Sequence, residues 1–423
     1  MKLVVEPSQL KGEVLIPASK SHTMRALVIA TLAEGISEIA NPLDSLDTRA
    51  CVDACRALGA QIDTGEMWQV TGTGGDVQTP RDIIDVGNSG TTIRFVMSAA
   101  ALAEGATIFT GDDSIRTRPA GPLLEALTNL GAEAFSTRGN DCAPFVVRGT
   151  LRGGKTKLAA TSSQFLSSLL ISCPLAVDAT TIDVTELNEV PYVGITLDWL
   201  SRRGIQYERT DDLKRFRIPG GQRYNGFKRQ MPGDFSSATF FATAAAVGDS
   251  DVTLLGLDMD DQQGDKEVIR MLEAMGAAVV VGPEDIRVRR GELKGGEFDL
   301  NATPDALPAM AVAAALAEGE TRLVNVPQAR IKETDRIAVM ASELAKMGAD
   351  VEELEDGLVV RGGKLTGAAV SGHHDHRIVM ALAVAALAAD GTTTIDTAEA
   401  AAVTFPNFVA LMNSLGAAMR TED

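Results

Sequence analysis

The sequence predicts a mixed α/β protein (α/β in the broad sense, with α+β character) made of six βαβαββ units in two halves of three. Three observations carry that prediction. The tripeptide Leu-Gly-Ala or a close variant recurs as Leu58-Gly59-Ala60, Leu130-Gly131-Ala132, Met275-Gly276-Ala277, Met347-Gly348-Ala349 and Leu415-Gly416-Ala417, with a degenerate Arg203-Gly204-Ile205 in the gap; the glycine spacings are 72, 73, 72, 72 and 68. A second marker, seen as Ala33-Glu34-Gly35, Ala103-Glu104-Gly105, Val247-Gly248-Asp249, Ala317-Glu318-Gly319 and Ala389-Asp390-Gly391, precedes those glycines by 24 to 29 residues. Finally, Lys11–Gly35 resembles Lys228–Gly248 in its order of charged strand, proline, Ser-containing turn and apolar helix. A fixed period of this kind marks one supersecondary unit used repeatedly.

Each element of the unit has a local reason. Ala-rich runs such as Ala309–Ala317 and Val379–Ala389 suit buried helices whose thin side chains allow close packing, and the glycine after them can take the left-handed C-cap conformation. Short β-branched segments follow, as at Thr107-Ile108-Phe109 and Thr392–Ile395. An amphipathic helix comes next: over Glu267–Met275, Val268, Met271, Leu272 and Met275 fall at helical spacing. A strand pair closes the unit, such as Ala278–Val281 and Ile286–Arg289 around Gly282-Pro283-Glu284-Asp285. The seam between halves is expected near Tyr224-Asn225-Gly226, and a cleft between halves is a default place for a ligand.

Composition limits the function. At about 150 residues per domain, 423 residues give two or three domains. The 39 Lys and Arg against 57 Asp and Glu leave a charge of -18, which argues against wrapping nucleic acid or lying on an anionic membrane. Small anionic ligands stay open, because a site needs only a few cations in one place. The longest apolar run, Ile378–Ala389, has twelve residues and is too short to span a bilayer. The opening residues lack the apolar stretch of a signal peptide. Cys51, Cys55, Cys142 and Cys173 form neither a Cys-x-x-Cys pair nor a zinc pattern, so reduced thiols in a cytoplasmic protein are expected.

Four segments place basic residues beside glycine or serine at predicted helix starts. Ser19-Lys20-Ser21-His22-Thr23-Met24-Arg25 has Ser19 and Ser21 as candidate N-caps, with Lys20 and Arg25 framing the first turn. Gly87-Asn88-Ser89-Gly90-Thr91-Thr92-Ile93-Arg94 is a glycine-bounded turn opening an apolar helix. Backbone N–H groups at such starts suit a phosphate or carboxylate, although plain capping with exposed arginines explains either segment alone. In Ile331-Lys332-Glu333-Thr334-Asp335-Arg336, Lys332 and Arg336 are expected on one helix face, as an anion clamp or a surface salt-bridge ladder. Gly372-His373-His374-Asp375-His376-Arg377 holds three of the four histidines, but near-adjacent ligands with no second His/Cys cluster make a poor metal site, and Arg377 reads better as another anion clamp. Asp305 precedes an apolar helix and could cap it, and Arg118 is one more cation ahead of a helix.

Taken together these motifs resemble the enolpyruvyl transferases, and within them the 5-enolpyruvylshikimate-3-phosphate synthases. The resemblance rests on Ser19–Arg25, Gly87–Arg94, Arg116–Pro119, Ser162–Gln164, Pro191–Tyr192, Pro232–Ala238, Asp305–Pro308, Lys332–Arg336, Asp375–Arg377 and Thr404–Pro406, in family order over essentially the whole chain. It implies two inside-out α/β domains of three βαβαββ units: 1–17 with 227–423, and an inserted 18–226. The chain would cross twice between them, the N-terminal strand joining the C-terminal half, with the active site in the interdomain cleft. It implies transfer of the enolpyruvyl group of phosphoenolpyruvate to the 5-hydroxyl of shikimate 3-phosphate, with no cofactor and no metal. By family role, Lys20, Gly90, Arg94, Arg118, Gln164, Lys332, Arg336 and Arg377 would hold phosphoenolpyruvate. Lys20, Ser21, Arg25, Ser162, Ser163, Gln164, Tyr192, Asp305, Gln328 and Lys332 would hold shikimate 3-phosphate. Asp305 or Lys20 would take the hydroxyl proton, and Glu333 would protonate the methylene carbon. The two small molecules would be the partners of a monomer that binds neither nucleic acid nor membrane.

Four positions depart from the bacterial pattern: Glu189 for a serine at the substrate phosphate, Gln328 for asparagine, Val403 for a lysine, and Phe95 for a proline. Two alternatives carry different functions. The sister activity on UDP-N-acetylglucosamine characteristically has a cysteine where this chain reads Gly111-Asp112-Asp113-Ser114-Ile115-Arg116. A non-catalytic anion-binding scaffold would have no need of Lys20, Asp305 and Glu333 together.

Overall fold

The computed structural model describes residues 1–423, which form six four-stranded sheets. In every sheet the first two strands run parallel and the third and fourth are added antiparallel. The chain divides into two compact units, Lys20–Met231 and Met1–Ser19 with Pro232–Asp423, and each unit holds three of the sheets.

In the unit Lys20–Met231, three buried helices, Lys20–Leu32, Gly90–Ala100 and Ser163–Ser172, pack in sequence order behind the sheets. In the other unit, Phe235–Val247, Leu307–Ala315 and His376–Leu387 pack on one another and bury every residue. A helix apolar all round has no solvent face to offer, so it lies at the centre with the sheets outside. The second helix of each repeat is amphipathic: Glu267–Met275 buries Val268, Ile269, Leu272 and Met275. All six glycines of the tripeptide marker, from Gly59 to Gly416, have positive φ and end such helices, as the repeat requires. After the core helices the same conformation appears at Gly35, Gly319 and Gly391 but not at Gly105 or Gly248.

Strand exchange sets the connectivity. Lys11–Leu15 precedes the helix Lys20–Leu32, yet it pairs in parallel with Asp251–Leu255. Lys228–Gln230 precedes the helix Phe235–Val247, yet it pairs in parallel with Ile36–Ala40. Lys2–Glu6 lies between Thr393–Asp396 and Ala418–Glu422. The chain therefore passes between units after Ser19 and after Met231. Pairing of Lys228–Gln230 carries the second passage past the Tyr224–Gly226 turn, and the Ala18↔Gly233 bridge holds Ala18 with the residues after Pro232.

Several local expectations change. The helices over 309–317 and 379–389 begin earlier, at Leu307 and His376. Ser21 lies inside the helix that starts at Lys20 and is not its cap. Asp305 sits in the short 3-10 turn Pro304–Ala306 and makes no capping bond to the helix after it. Lys332 and Arg336 do not share a helix face: Lys332 ends the 3-10 segment Pro327–Ile331, and Arg336 is the first residue of Arg336–Lys346 behind the N-cap Asp335. All four cysteines are buried thiols. No helix is long and apolar enough to cross a membrane.

Candidate functional site

Lys20, Gly90, Ser162, Ser163, Gln164 and Arg377 lie at the starts of buried helices, where backbone N–H groups and the positive end of the helix dipole are available. The two units treat those starts differently. In Lys20–Met231 the helices begin behind serines: Lys20–Leu32 directly after Ser19, Gly90–Ala100 behind the N-cap Ser89, and Ser163–Ser172 behind the N-cap Ser162. In the other unit aspartates stand there: Asp234 and Asp375 as N-caps, and Asp305 in the turn before Leu307–Ala315.

In the serine-capped unit, Lys20 Nζ lies 3.0 Å from Asp47 Oδ2, both largely shielded from solvent. Arg94 donates to Gln164 Oε1 at 2.6 Å and stacks over Phe165, while Gln164 Nε2 donates to Thr91 Oγ1 at 3.0 Å. Arg118 donates to Ser114 Oγ at 2.7 Å and to Asn88 Oδ1 at 3.2 Å. Gly90 faces both arginines: a Cβ there would stand 2.8 Å from Arg118 Nη1 and 3.7 Å from Arg94 Nη1. Only glycine leaves the two guanidiniums this approach.

Arg25 is 2% exposed. It donates to Thr196 Oγ1 (2.8 Å), Ser21 O (2.9 Å), Tyr192 O (2.8 Å) and Ser167 Oγ (3.4 Å), and lies over the Phe95 ring. All of these partners are neutral. Burial pulls its pKa down to about 9, against the opposing pull of Tyr192, so it is a cation at neutral pH in a setting that lacks a counter-charge. Glu189 sits 2% exposed in the left-handed region at φ 57°. Its Oε2 accepts from the Ser163 backbone N–H at 3.1 Å and the Ser163 hydroxyl at 2.7 Å.

In the aspartate-capped unit, Arg336 is the hub. Its Nη1 meets Asp305 Oδ1 at 2.9 Å, its Nη2 meets Glu333 Oε2 at 2.5 Å, and its Nε meets Asp375 Oδ2 at 2.8 Å. Arg377 Nη2 lies 2.9 Å from Asp305 Oδ2, and Lys332 Nζ lies 3.9 Å from Asp305 Oδ1. Burial raises the Asp305 pKa, but Arg377, Lys332 and Arg336 outweigh it and hold the carboxyl well below the usual carboxylate range. Burial likewise opposes the Arg336 charge, and the Asp375, Glu333 and Asp305 carboxylates reverse that shift upward. Gln328 Nε2 donates to Asn301 O at 3.0 Å, while its buried Oε1 has no donor within the chain.

Sequence reasoning missed Asp375 as the second anchor of Arg336 and Asp47 as the partner of Lys20. Asp375 carries an N-cap signature that explains it fully as a local feature, since it accepts from Arg377 N at 2.9 Å. No spacing in the sequence ties Asp47 to Lys20. The histidines of residues 373–376 do not converge: His373 Nε2 lies 2.8 Å from Glu343 Oε1, His374 is exposed and His376 is buried.

Two units of three sheets around buried helices, with cations and carboxylates at the helix starts, define the enolpyruvyl transferase fold class. A family model described as EPSP synthase (3-phosphoshikimate 1-carboxyvinyltransferase) matches residues 4–412. A 3-phosphoshikimate 1-carboxyvinyltransferase of Acetivibrio thermocellus is 56% identical over 422 residues, covering all of both chains. One from Ruminiclostridium cellulolyticum is 54% identical over 98% of this chain and 99% of its own. A solved EPSP synthase of Acinetobacter baumannii superposes with a TM-score of 0.85 at 29% identity, covering all of both chains. This chain belongs to the EPSP synthase family.

Proposed function

We propose that this protein transfers the enolpyruvyl group of phosphoenolpyruvate to the 5-hydroxyl of shikimate 3-phosphate, releasing phosphate, as a monomer in the cytoplasm and without a cofactor. The observation that carries the reading is the Asp305–Arg336–Glu333 arrangement, two carboxylates on one buried guanidinium with Lys332 and Arg377 alongside. Two substrates of like charge repel, so clustered cations are needed to hold them in attack geometry. Two carboxylates in one site can divide base and acid work.

In this mechanism Lys20, Arg94, Arg118, Lys332, Arg336 and Arg377 hold phosphoenolpyruvate. Ser21, Arg25, Ser162, Ser163, Gln164, Tyr192 and Gln328 hold shikimate 3-phosphate, and the donorless Gln328 Oε1 suits a substrate hydroxyl. The 5-oxygen adds to C2 of phosphoenolpyruvate as its proton leaves to Asp305 or Lys20, and Glu333 protonates the methylene carbon. The tetrahedral intermediate then loses a methyl proton and expels phosphate, leaving the enol ether. Asp305 is a weak base while Arg377, Lys332 and Arg336 hold its pKa down. Substrate anions that draw those cations away would raise its basicity when the reactants are in place.

The test is phosphate release from phosphoenolpyruvate, with shikimate 3-phosphate and UDP-N-acetylglucosamine offered separately. Release with the first and not the second is expected, and the reverse pattern would sink the reading. Asp305→Asn, which keeps the shape, should lower kcat far more than it raises the KM for phosphoenolpyruvate. Unaltered turnover would remove Asp305 from proton handling.

A further inference from the structure

Glu343 is a buried carboxylate that the mechanism above does not use. It lies two turns along the helix Arg336–Lys346 from Arg336, on the same face. The segment 371–375 is bonded to that face at alternate residues. Glu343 accepts from the Ser371 backbone N–H at 2.9 Å and from His373 Nε2 at 2.8 Å, and Asp375 takes Arg336 Nε at 2.8 Å. Asp396 adds bonds from the Ser371 hydroxyl at 2.6 Å and the Gly372 N–H at 3.1 Å. Within the segment, His373 and His374 both take left-handed backbone, at φ 50° and 56°. Two such residues in succession, neither a glycine, are unfavourable and persist only where their surroundings hold them. Burial pushes the Glu343 pKa up, but the bonds from His373, Lys346 and Ser371 outweigh it and keep the carboxylate ionised. Lys346, 2.8 Å away, already matches that charge, so the bonds to Ser371 and His373 serve geometry.

We propose that Glu343 and His373 are positioning residues for phosphoenolpyruvate, acting through Asp375 on Arg336 and Arg377. The proposal rests on the enolpyruvyl-transfer reading above, which places both arginines on that substrate. Asp375 joins the two: its Oδ2 takes Arg336 Nε, and its Oδ1 accepts from the Arg377 backbone N–H at 2.9 Å. Both guanidiniums meet Asp305 at 2.9 Å, one on each carboxylate oxygen. A shift of the segment therefore moves two cations against one carboxylate. None of the residues assigned to shikimate 3-phosphate belongs to this segment or to the helix Arg336–Lys346, so the effect falls on one substrate.

The experiment compares wild type with three single variants in steady-state assays of both substrates. His373→Asn accepts the left-handed backbone but is too short to reach Glu343; His373→Gln puts an amide N–H where Nε2 stands. Glu343→Gln keeps the shape and loses the charge. His373→Asn and Glu343→Gln should each raise the KM for phosphoenolpyruvate about three- to tenfold, with the KM for shikimate 3-phosphate within about twofold of wild type. His373→Gln should recover most of the loss, and the double variant Glu343→Gln with His373→Asn should be little worse than the poorer single one. His373 is 37% exposed, so His373→Asn carries the test alone if Glu343→Gln does not fold. An unchanged KM for phosphoenolpyruvate in His373→Asn overturns the proposal, even with a lowered melting temperature. So does an equal rise in both KM values, or a His373→Gln variant no better than His373→Asn. Failure of the underlying reading is distinct: it shows in the wild-type enzyme as no phosphate release with shikimate 3-phosphate, and takes the proposal with it.

Discussion

Asp305 gathers three cations, and its ionisation should be visible in stability as well as in rate. Its folded pKa lies below the ordinary value of 3.8, so it contributes stability that is fully present above that value and is lost as pH falls beneath it. Asp305→Asn should therefore be less stable than wild type at neutral pH, and in denaturant titrations the gap should begin to narrow only below about pH 3.8 and keep narrowing as pH falls toward the much lower folded pKa. A gap that stays constant with pH would mean the ion pairs contribute nothing. Gly90 offers a second test at this scale. Gly90→Ala puts a methyl 2.8 Å from Arg118 Nη1, so the guanidinium must move. The KM for phosphoenolpyruvate should rise several-fold in steady-state assays while the melting temperature barely changes, because the displaced atom ends a flexible side chain. Individual site residues were legible because their motifs are contiguous: Gly90 and Arg94 share one loop-helix segment, as do Lys332, Glu333 and Arg336. Their partners were not. Asp47 meets Lys20 across 27 positions and Asp375 meets Arg336 across 39, and such pairings are created only by packing.

Helix starts are where the elements take on function. Asp375 serves two purposes, capping His376–Leu387 and anchoring Arg336 and Thr334. Asp375→Ala removes a cap worth about 1 kcal/mol. Breaking one partner out of a buried ion pair costs about 3–5 kcal/mol in comparable cases. Chemical denaturation should thus show a loss of about 3–5 kcal/mol, with a smaller loss for Asp375→Asn, which retains an acceptor for the cap. Equal losses would place the whole effect in the missing charge. The amphipathic helix Glu267–Met275 and the strand Ala278–Val281 were readable to the residue from apolar spacing and β-branched content. The helix face expected for Lys332 and Arg336 was not realised, because Asp335 caps the helix between them. Local capping overrode a spacing argument that counts residues without asking where the helix begins.

At the scale of the molecule, the charge of -18 surrounds clusters of another character. Lys20, Arg25, Arg94 and Arg118 stand against Asp47 and Glu189 in one unit, whereas Lys332, Arg336 and Arg377 are matched by Asp305, Glu333 and Asp375 in the other. Surplus positive charge at the serine-capped helix starts predicts stabilisation by anions. At a hundred times its dissociation constant, shikimate 3-phosphate should add about 2.7 kcal/mol and raise the melting temperature by a few degrees in a thermal scan. Shikimate, lacking the phosphate, should do much less at the same concentration; equal shifts would argue against a phosphate-directed site. The six-fold repeat was legible in the sequence because its glycines keep a near-constant period. The strand exchange has no such marker, since pairing partners at Lys11–Leu15 and Asp251–Leu255 carry no signal of each other.

That exchange also bears on the order in which the protein can be made. Residues 20–231 contain all three of their own sheets, so this unit can close while the rest of the chain is still being translated. Residues 2–6 and 11–15 are synthesised before it, yet their neighbours are Thr393–Asp396, Ala418–Glu422 and Asp251–Leu255. Two short strands with exposed edges must therefore wait, tethered to an already folded body, until hundreds of later residues have left the ribosome.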